Sequence, residues 1–310
     1  MNKRKLIIFL LCAFLPTIAA GMVMHLLGGS PSALSIEPLE GNKVQAIAVV
    51  ALTTAAMLFP MIAVIITQRV TKEPVLKGLD ISFKINRWWF IGWLLMPVIA
   101  VAVLGVTLLM PGAVWNPENE IIRTALESMP EGIGLWGMLS ITLFSGLYAG
   151  ITLNALFAFG EEIAWRGYLL KLFEGKKFMT TALLTGTIWG LWHAPIILNG
   201  HNYPQHPVIG VLMMVVFCVL LTPMLMYFRK KSGSVIVPAI MHGTFNGVIG
   251  ITLIMVTPAN DLLYGGSGLA GFITILIIDI FIYIYTTVSF RGKIYLDLRY
   301  RQVCKIAKYI

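Results

Sequence analysis

Glu161, Glu162 and Arg166 interrupt the apolar stretch "LNALFAFGEEIAWRGYLL", residues 153–170. On a helix, Glu162 and Arg166 are four residues apart and share a face, so they can neutralise one another. Glu161 points about 100° away from Glu162 and stays free, a candidate general base. A second stretch, "TGTIWGLWHAPIIL", sets His193 in an apolar run just before Pro195. A third, "VPAIMHGTFNGVIG", sets His242 and Asn246 four apart on one helical face, able to point at one atom. Charged and polar groups inside a membrane helix are costly and usually face the bundle interior or a water-filled cavity. A carboxylate and an imidazole can activate water, and an imidazole and an amide can stabilise an oxyanion. Each stretch alone has a plainer reading: an interfacial charge cluster, a packing histidine, an interhelical hydrogen-bonding pair. A carboxylate, two imidazoles and an amide on three different spans are together the parts of a water-using hydrolase.

The elements that must position these residues are helices in oil. The chain has 310 residues, of which 58% are hydrophobic and 12% charged, and several apolar runs reach the ~18–20 residues that cross a bilayer. The composition predicts an all-α, polytopic membrane helical bundle. About eight transmembrane helices are expected, over 6–27, 44–68, 88–110, 134–159, 179–198, 208–228, 234–256 and 268–290. The net charge of +9 does not imply nucleic acid, because the basic residues fall in short loops on one side. That side carries Lys3–Lys5, Arg69–Arg87, Lys171–Lys177, Arg229–Lys231 and the tail after 290, while the other holds only Lys43 and Arg123. The asymmetry predicts cytoplasmic termini. Cys12, Cys218 and Cys304 have neither metal-ligand nor disulfide-framework spacing.

The first 27 residues have the charge and length pattern of a signal peptide at their start, but the apolar run continues to Leu27, as a retained span would. The chain divides into N-terminal helices and loops (1–130), a core with the chemistry-bearing motifs (131–256), and a last helix with a basic tail (257–310). A short interfacial helix is expected around 118–128, and a helix break at Gly160. Gly186 with Gly190, and Gly243 with Gly247, predict close approach of neighbouring helices. Asp279, His25, His201 and His206 are left outside the site, the two loop histidines being a weak metal signal.

The three motifs resemble those of the CPBP or Abi family, the CAAX prenyl protease type II and bacteriocin-processing membrane proteins. The family pattern is EExxxR, FxxxH and HxxxN on successive spans. Here it reads Glu161-Glu162-xxx-Arg166, Trp189-xxx-His193 and His242-xxx-Asn246, with similar flanks "GEEIAWRGYL", "GLWHAP" and "GSVIVPAIMHGTFN". The resemblance covers about residues 135–250. Trp189 stands where the family usually has Phe, and a bulky aromatic role beside the substrate pocket is expected of it.

The resemblance implies that Glu161 with His193 activates water, that His242 and Asn246 form the oxyanion hole, and that Glu162 and Arg166 support the site. Glu161, His193 and His242 could form a two-His, one-carboxylate zinc site. The resemblance and the amide of Asn246 favour a metal-free glutamate mechanism, so no cofactor is expected. The implied activity is intramembrane endoproteolysis of a membrane-associated or lipidated peptide near the cytoplasmic face, in a cell membrane expected to be prokaryotic. The alternative is a non-proteolytic binding or immunity scaffold for a bacteriocin-like peptide or a partner complex, which has no use for Glu161. A proton-coupled transporter is disfavoured by the lack of repeat-related broken helices.

Overall fold

The computed structural model describes residues 2–29 and 43–286. Helix α1 (Lys3–Leu26) starts at Asn2, whose side chain accepts from the Lys5 amide, and runs unbroken for 24 residues. Helices α2 (Lys43–Ala56) and α3 (Phe59–Val70) together form one long apolar crossing. Helix α4 (Arg87–Leu108) is capped by Asn86, which accepts from the Trp88 amide. A loop follows to β1 (Val114–Trp115) and to the short α5 (Glu120–Glu127), capped by Asn119. The 118–128 expectation is met by α5.

Helices α6 (Leu135–Ile151) and α7 (Leu153–Glu162) are bent by 47° at Thr152. A π-helical turn over Ile163–Leu169 and the three-residue α8 (Leu170–Leu172) continue α7. Then come α9 (Phe178–Trp192), α10 (Ala194–Ile197), α11 (Pro207–Ser232), α12 (Ile236–Val248), α13 (Ile251–Ile254), β2 (Val256–Thr257) and α14 (Leu269–Thr286). Helix α11 ends in the common way, with Arg229–Lys231 in its last turn, where cations suit the helix dipole. Gly233 follows at φ 72°, a backbone conformation that other residues rarely adopt.

The all-α membrane bundle is what the composition predicts. Among the described residues five helices are long and apolar enough to cross a bilayer, or six with the bent α6–α7 pair taken as one. The two expected spans that fall short, 179–198 and 234–256, are those carrying His193, His242 and Asn246. The first breaks at His193 into α9, of 15 residues, and α10. The second is α12, of 13 residues, followed by the one-turn α13. At 1.5 Å per residue these reach only about 20–22 Å, less than the ~30 Å of hydrocarbon. Apolar residues continue through both breaks, so hydropathy alone does not reveal them. The expected break at Gly160 is also displaced. Gly160 lies inside α7, packed against the α2–α3 corner at Met57 and Leu58, and the chain bends at Thr152 instead.

Helix α12 is the central element, packed on α4, α6 and α7, while α9 lies along α11 and α1 lies along α3 and α10. The glycine pairs act as their spacing predicts. A Cβ on Gly186 or Gly190 would sit 2.6 or 2.5 Å from the backbone of α11 at Val219 and Val215. One on Gly243 or Gly247 would sit 2.6 Å from the backbone of α7 or α6. These contacts bring α9 and α12 close enough for their polar groups to meet those of α7. The largest fully buried side chains, Trp165, Trp189, Trp192 and Arg166, all lie where these helices converge.

Two loop systems close the ends of the bundle. At the end bearing Lys171–Lys177, loop 71–86 folds over α11 and α12. Asp80 accepts from the Val235 amide and pairs with Arg229 at 2.7 Å, Ser82 and Ser234 bond one another, and Leu79 is buried. At the other end, β1 and β2 pair antiparallel. There Asp261 accepts from the Gln205 amide, His206 Nδ1 lies 2.7 Å from Asp261 Oδ1, and Tyr203 donates to the Ser267 carbonyl. The basic tail after 290, with Glu37 and Glu40, lies outside the described residues.

Candidate active site

The site is built around the last turn of α7. Glu161 and Glu162 end that helix, and the π-helical turn that follows widens the backbone by one residue. Such turns are frequent at functional sites. Both carboxylates are buried, and they are held in different ways.

Glu162 Oε1 accepts from Arg166 Nη1 at 2.9 Å, and both side chains are fully buried. The same oxygen lies 3.0 Å from His242 Nδ1. Arg166 Nη2 donates to Thr222 Oγ1 at 3.0 Å, and that hydroxyl donates to the Cys218 carbonyl. The guanidinium also stands 4.1 Å from the centre of the Trp189 ring, a cation–π placement. The i, i+4 spacing thus does give the pair expected of it. Thr222 on α11 was not foreseen, since a threonine in an apolar helix has no sequence signal for an arginine partner.

Glu161 takes no part in that ion pair. Its Oε2 accepts from Trp189 Nε1 at 2.7 Å and from Trp165 Nε1 at 3.4 Å. Its Oε1 accepts no hydrogen bond among the described residues, and the residue as a whole is 2% exposed. The expectation of a carboxylate kept apart from Arg166 therefore holds, with two indole donors that the spacing argument did not anticipate. Trp165 lies four residues after Glu161, the interval that places two side chains on one helical face. That interval was the signal available in the sequence.

His193 stands at the break between α9 and α10. Its Nδ1 lies 2.9 Å from the Trp189 carbonyl, which can only accept, so Nδ1 carries the proton and Nε2 is left with its lone pair. Its ring meets Trp192 edge to face at 4.8 Å between centroids and Trp189 at 5.9 Å. His242 is buried on α12, with its ring 5.5 Å from that of Trp189. Trp189 is thus the common neighbour of Glu161, Arg166, His193 and His242.

Asn246 follows His242 by one helical turn. It is exposed, its side chain makes no hydrogen bond among the described residues, and it is joined to the cluster only through α12.

The loop histidines do not form a pair. His206 is engaged by Asp261, and burial alone pushes His201 down to about 4, so its ring is neutral at ordinary pH. Among the described residues no three His, Cys, Asp or Glu side chains are grouped to hold a metal ion. His242 Nδ1 and Glu161 Oε2 are instead committed to protein partners. Asp279 on α14 is half-buried, with no hydrogen bond among the described residues.

Residues 130–248 match a family model described as type II CAAX prenyl endopeptidase Rce1-like. No curated protein matches the chain. The matched segment runs from just before α6 to the last residue of α12, and so contains the two carboxylates, Arg166, both indoles, both histidines and Asn246. Through that segment, set in a bundle of long apolar helices, the chain is similar to the type II CAAX prenyl endopeptidases.

Proposed function

We propose that this protein is a glutamate-type intramembrane endopeptidase that hydrolyses a peptide bond of a membrane-associated or lipidated substrate near the cytoplasmic face of a prokaryotic cell membrane. The observation that carries the reading is the division between the carboxylates. Glu162 is neutralised by Arg166, whereas Glu161 keeps one oxygen with no hydrogen-bond partner among the described residues. A site made only for packing has no need of the second arrangement.

In the mechanism that follows, water sits between Glu161 Oε1 and His193 Nε2. One of these takes a proton as the water oxygen attacks the scissile carbonyl carbon. The developing oxyanion accepts hydrogen bonds from His242 and Asn246. With Nδ1–H of His242 committed to Glu162, its Nε2 can donate only when the ring is imidazolium. Glu162 is the counter-charge for that state, and Arg166 holds Glu162 in place. The captured proton then passes to the leaving amine as the C–N bond breaks, and both products are released without a covalent intermediate. Asn246, exposed and unpaired, is able to reach a substrate without first breaking a bond inside the protein.

The first test compares membrane-protein termini, by terminal-enrichment mass spectrometry, in cells carrying the wild type or Glu161→Ala at equal expression. Particular termini vanish with the variant and name the substrate. Identical terminomes, with a phenotype on deletion, favour a binding scaffold. The reading also has no metal step: chelator-treated, purified protein keeps its activity, and a requirement for stoichiometric zinc overturns the mechanism.

A further inference from the structure

Trp189 is fully buried, 1% exposed, in the middle of the cluster. An indole N–H can donate and cannot accept. Buried indole N–H groups usually find a partner, and this one has found the carboxylate singled out as the general base. The contact of 2.7 Å from Nε1 to Glu161 Oε2 is at the short end of the normal range for N–H···O. Trp165 reaches the same oxygen at 3.4 Å from four residues down the chain. Trp165 in turn packs edge to face on Trp192, at 5.9 Å between centroids, and on Phe9 of α1 at 5.8 Å. Both indoles are therefore fixed by their own neighbours before they fix anything else. The Trp189 ring has Arg166 over its face and two imidazoles at its edges. It touches Glu161, Arg166, His193 and His242 but offers no surface to a substrate.

We propose that Trp189, with Trp165 as the second donor, is a positioning residue that holds Glu161 by Oε2 and so presents Oε1 alone to the attacking water. The assignment deepens the protease reading and rests on it for its catalytic meaning. A carboxylate free to rotate exchanges its two oxygens and samples many poses. One tethered through a single oxygen has a fixed near-attack geometry, and lost geometry of that kind is costly in rate. Phenylalanine at 189 would fill nearly the same space, keep a ring face for Arg166 and provide no tether. Glu161 would then be held only by the long contact from Trp165.

The test has two arms. In detergent-solubilised protein labelled with ¹⁵N at the indole nitrogens, the signals of Trp165 and Trp189 are assigned with Trp165→Phe and Trp189→Phe. Glu161→Gln then shifts the Trp189 indole N–H signal strongly upfield and that of Trp165 less so. An unmoved Trp189 signal overturns the tether whether or not the protein is a protease. In the second arm, an internally quenched farnesyl-cysteine peptide is the probe. Trp189→Phe lowers kcat about tenfold, the loss corresponding to one hydrogen bond to a charged group, and leaves KM within about twofold, the mark of an interaction that acts in the transition state. A raised KM with unchanged kcat makes Trp189 a pocket wall and refutes the positioning role. If the wild type cuts neither the probe nor any cellular protein, the protease reading fails, while the indole signals still decide whether the tether exists.

Discussion

Glu162 and Arg166 form an ion pair with no exposure to solvent. Taking two charges out of water is expensive, and the pair is tolerable only because each partner offsets the other. Arg166 is also bonded to Thr222 and stacked on Trp189, so its loss leaves several groups unsatisfied. Arg166→Ala is therefore expected to cost about 3–5 kcal/mol of stability, read as a lowered midpoint of denaturation in detergent. Glu161→Gln keeps the shape of the side chain but weakens its indole hydrogen bonds by removing the charge, and it leaves the midpoint little changed while activity is lost. If both variants unfold alike, the two carboxylates do not differ in role. Much of this was legible in the sequence. The interval of four between Glu162 and Arg166 gives the pair, and the adjacent position of Glu161 sets it apart. Of the tether of Glu161 only the interval to Trp165 is a signal in the sequence, because a tryptophan in an apolar run otherwise reads as packing. Only the fold shows that two indoles separated by 24 positions reach one oxygen.

Helices α9 and α12 carry His193, His242 and Asn246 to the carboxylates, and they approach their neighbours on glycine. Gly190→Ala puts a methyl group into the backbone of α11, an overpacking expected to cost about 1–3 kcal/mol and to displace His193 three residues later. Gly105→Ala on α4 is the control, since a Cβ there meets nothing within 4 Å. Stability and activity measured side by side should fall for the first and stay level or rise slightly for the second. The small-residue spacing foretells these contacts because it repeats with the helix. The lengths of α9 and α12 were not foretold. Hydropathy averages over a window, and both helices break inside apolar sequence. At one break the His193 amide bonds back to the Gly190 carbonyl and Asn199 bonds the Gly21 and Pro195 carbonyls. Polar backbone freed by a break is satisfied within the protein, so nothing in the composition marks it. The ribbon of β1 and β2 is two residues per strand, too short for any alternation to register.

For the whole molecule the basic loops predict one orientation. Glu131 and Lys176 are both exposed and lie on either side of the bent α6–α7 crossing. In sealed vesicles, a cysteine replacing Lys176 should react with an impermeant maleimide only from the cytoplasmic side, and one replacing Glu131 only from the opposite side. Equal labelling of both from one side would mean that the bent pair re-enters rather than crosses. The π-helical turn at Ile163–Leu169 has a consequence of a different kind. It adds one residue to the helical count between the carboxylates and α8, so the two ends of this segment are out of phase by about 100° relative to a plain α-helix. The site is then encoded in number as well as in residue type. Deleting Gly167, Tyr168 or Leu169 would let the helix close up with every motif residue still present, yet facing the wrong way. A search for conserved letters alone would pass such a chain as intact, and the count between the letters would not.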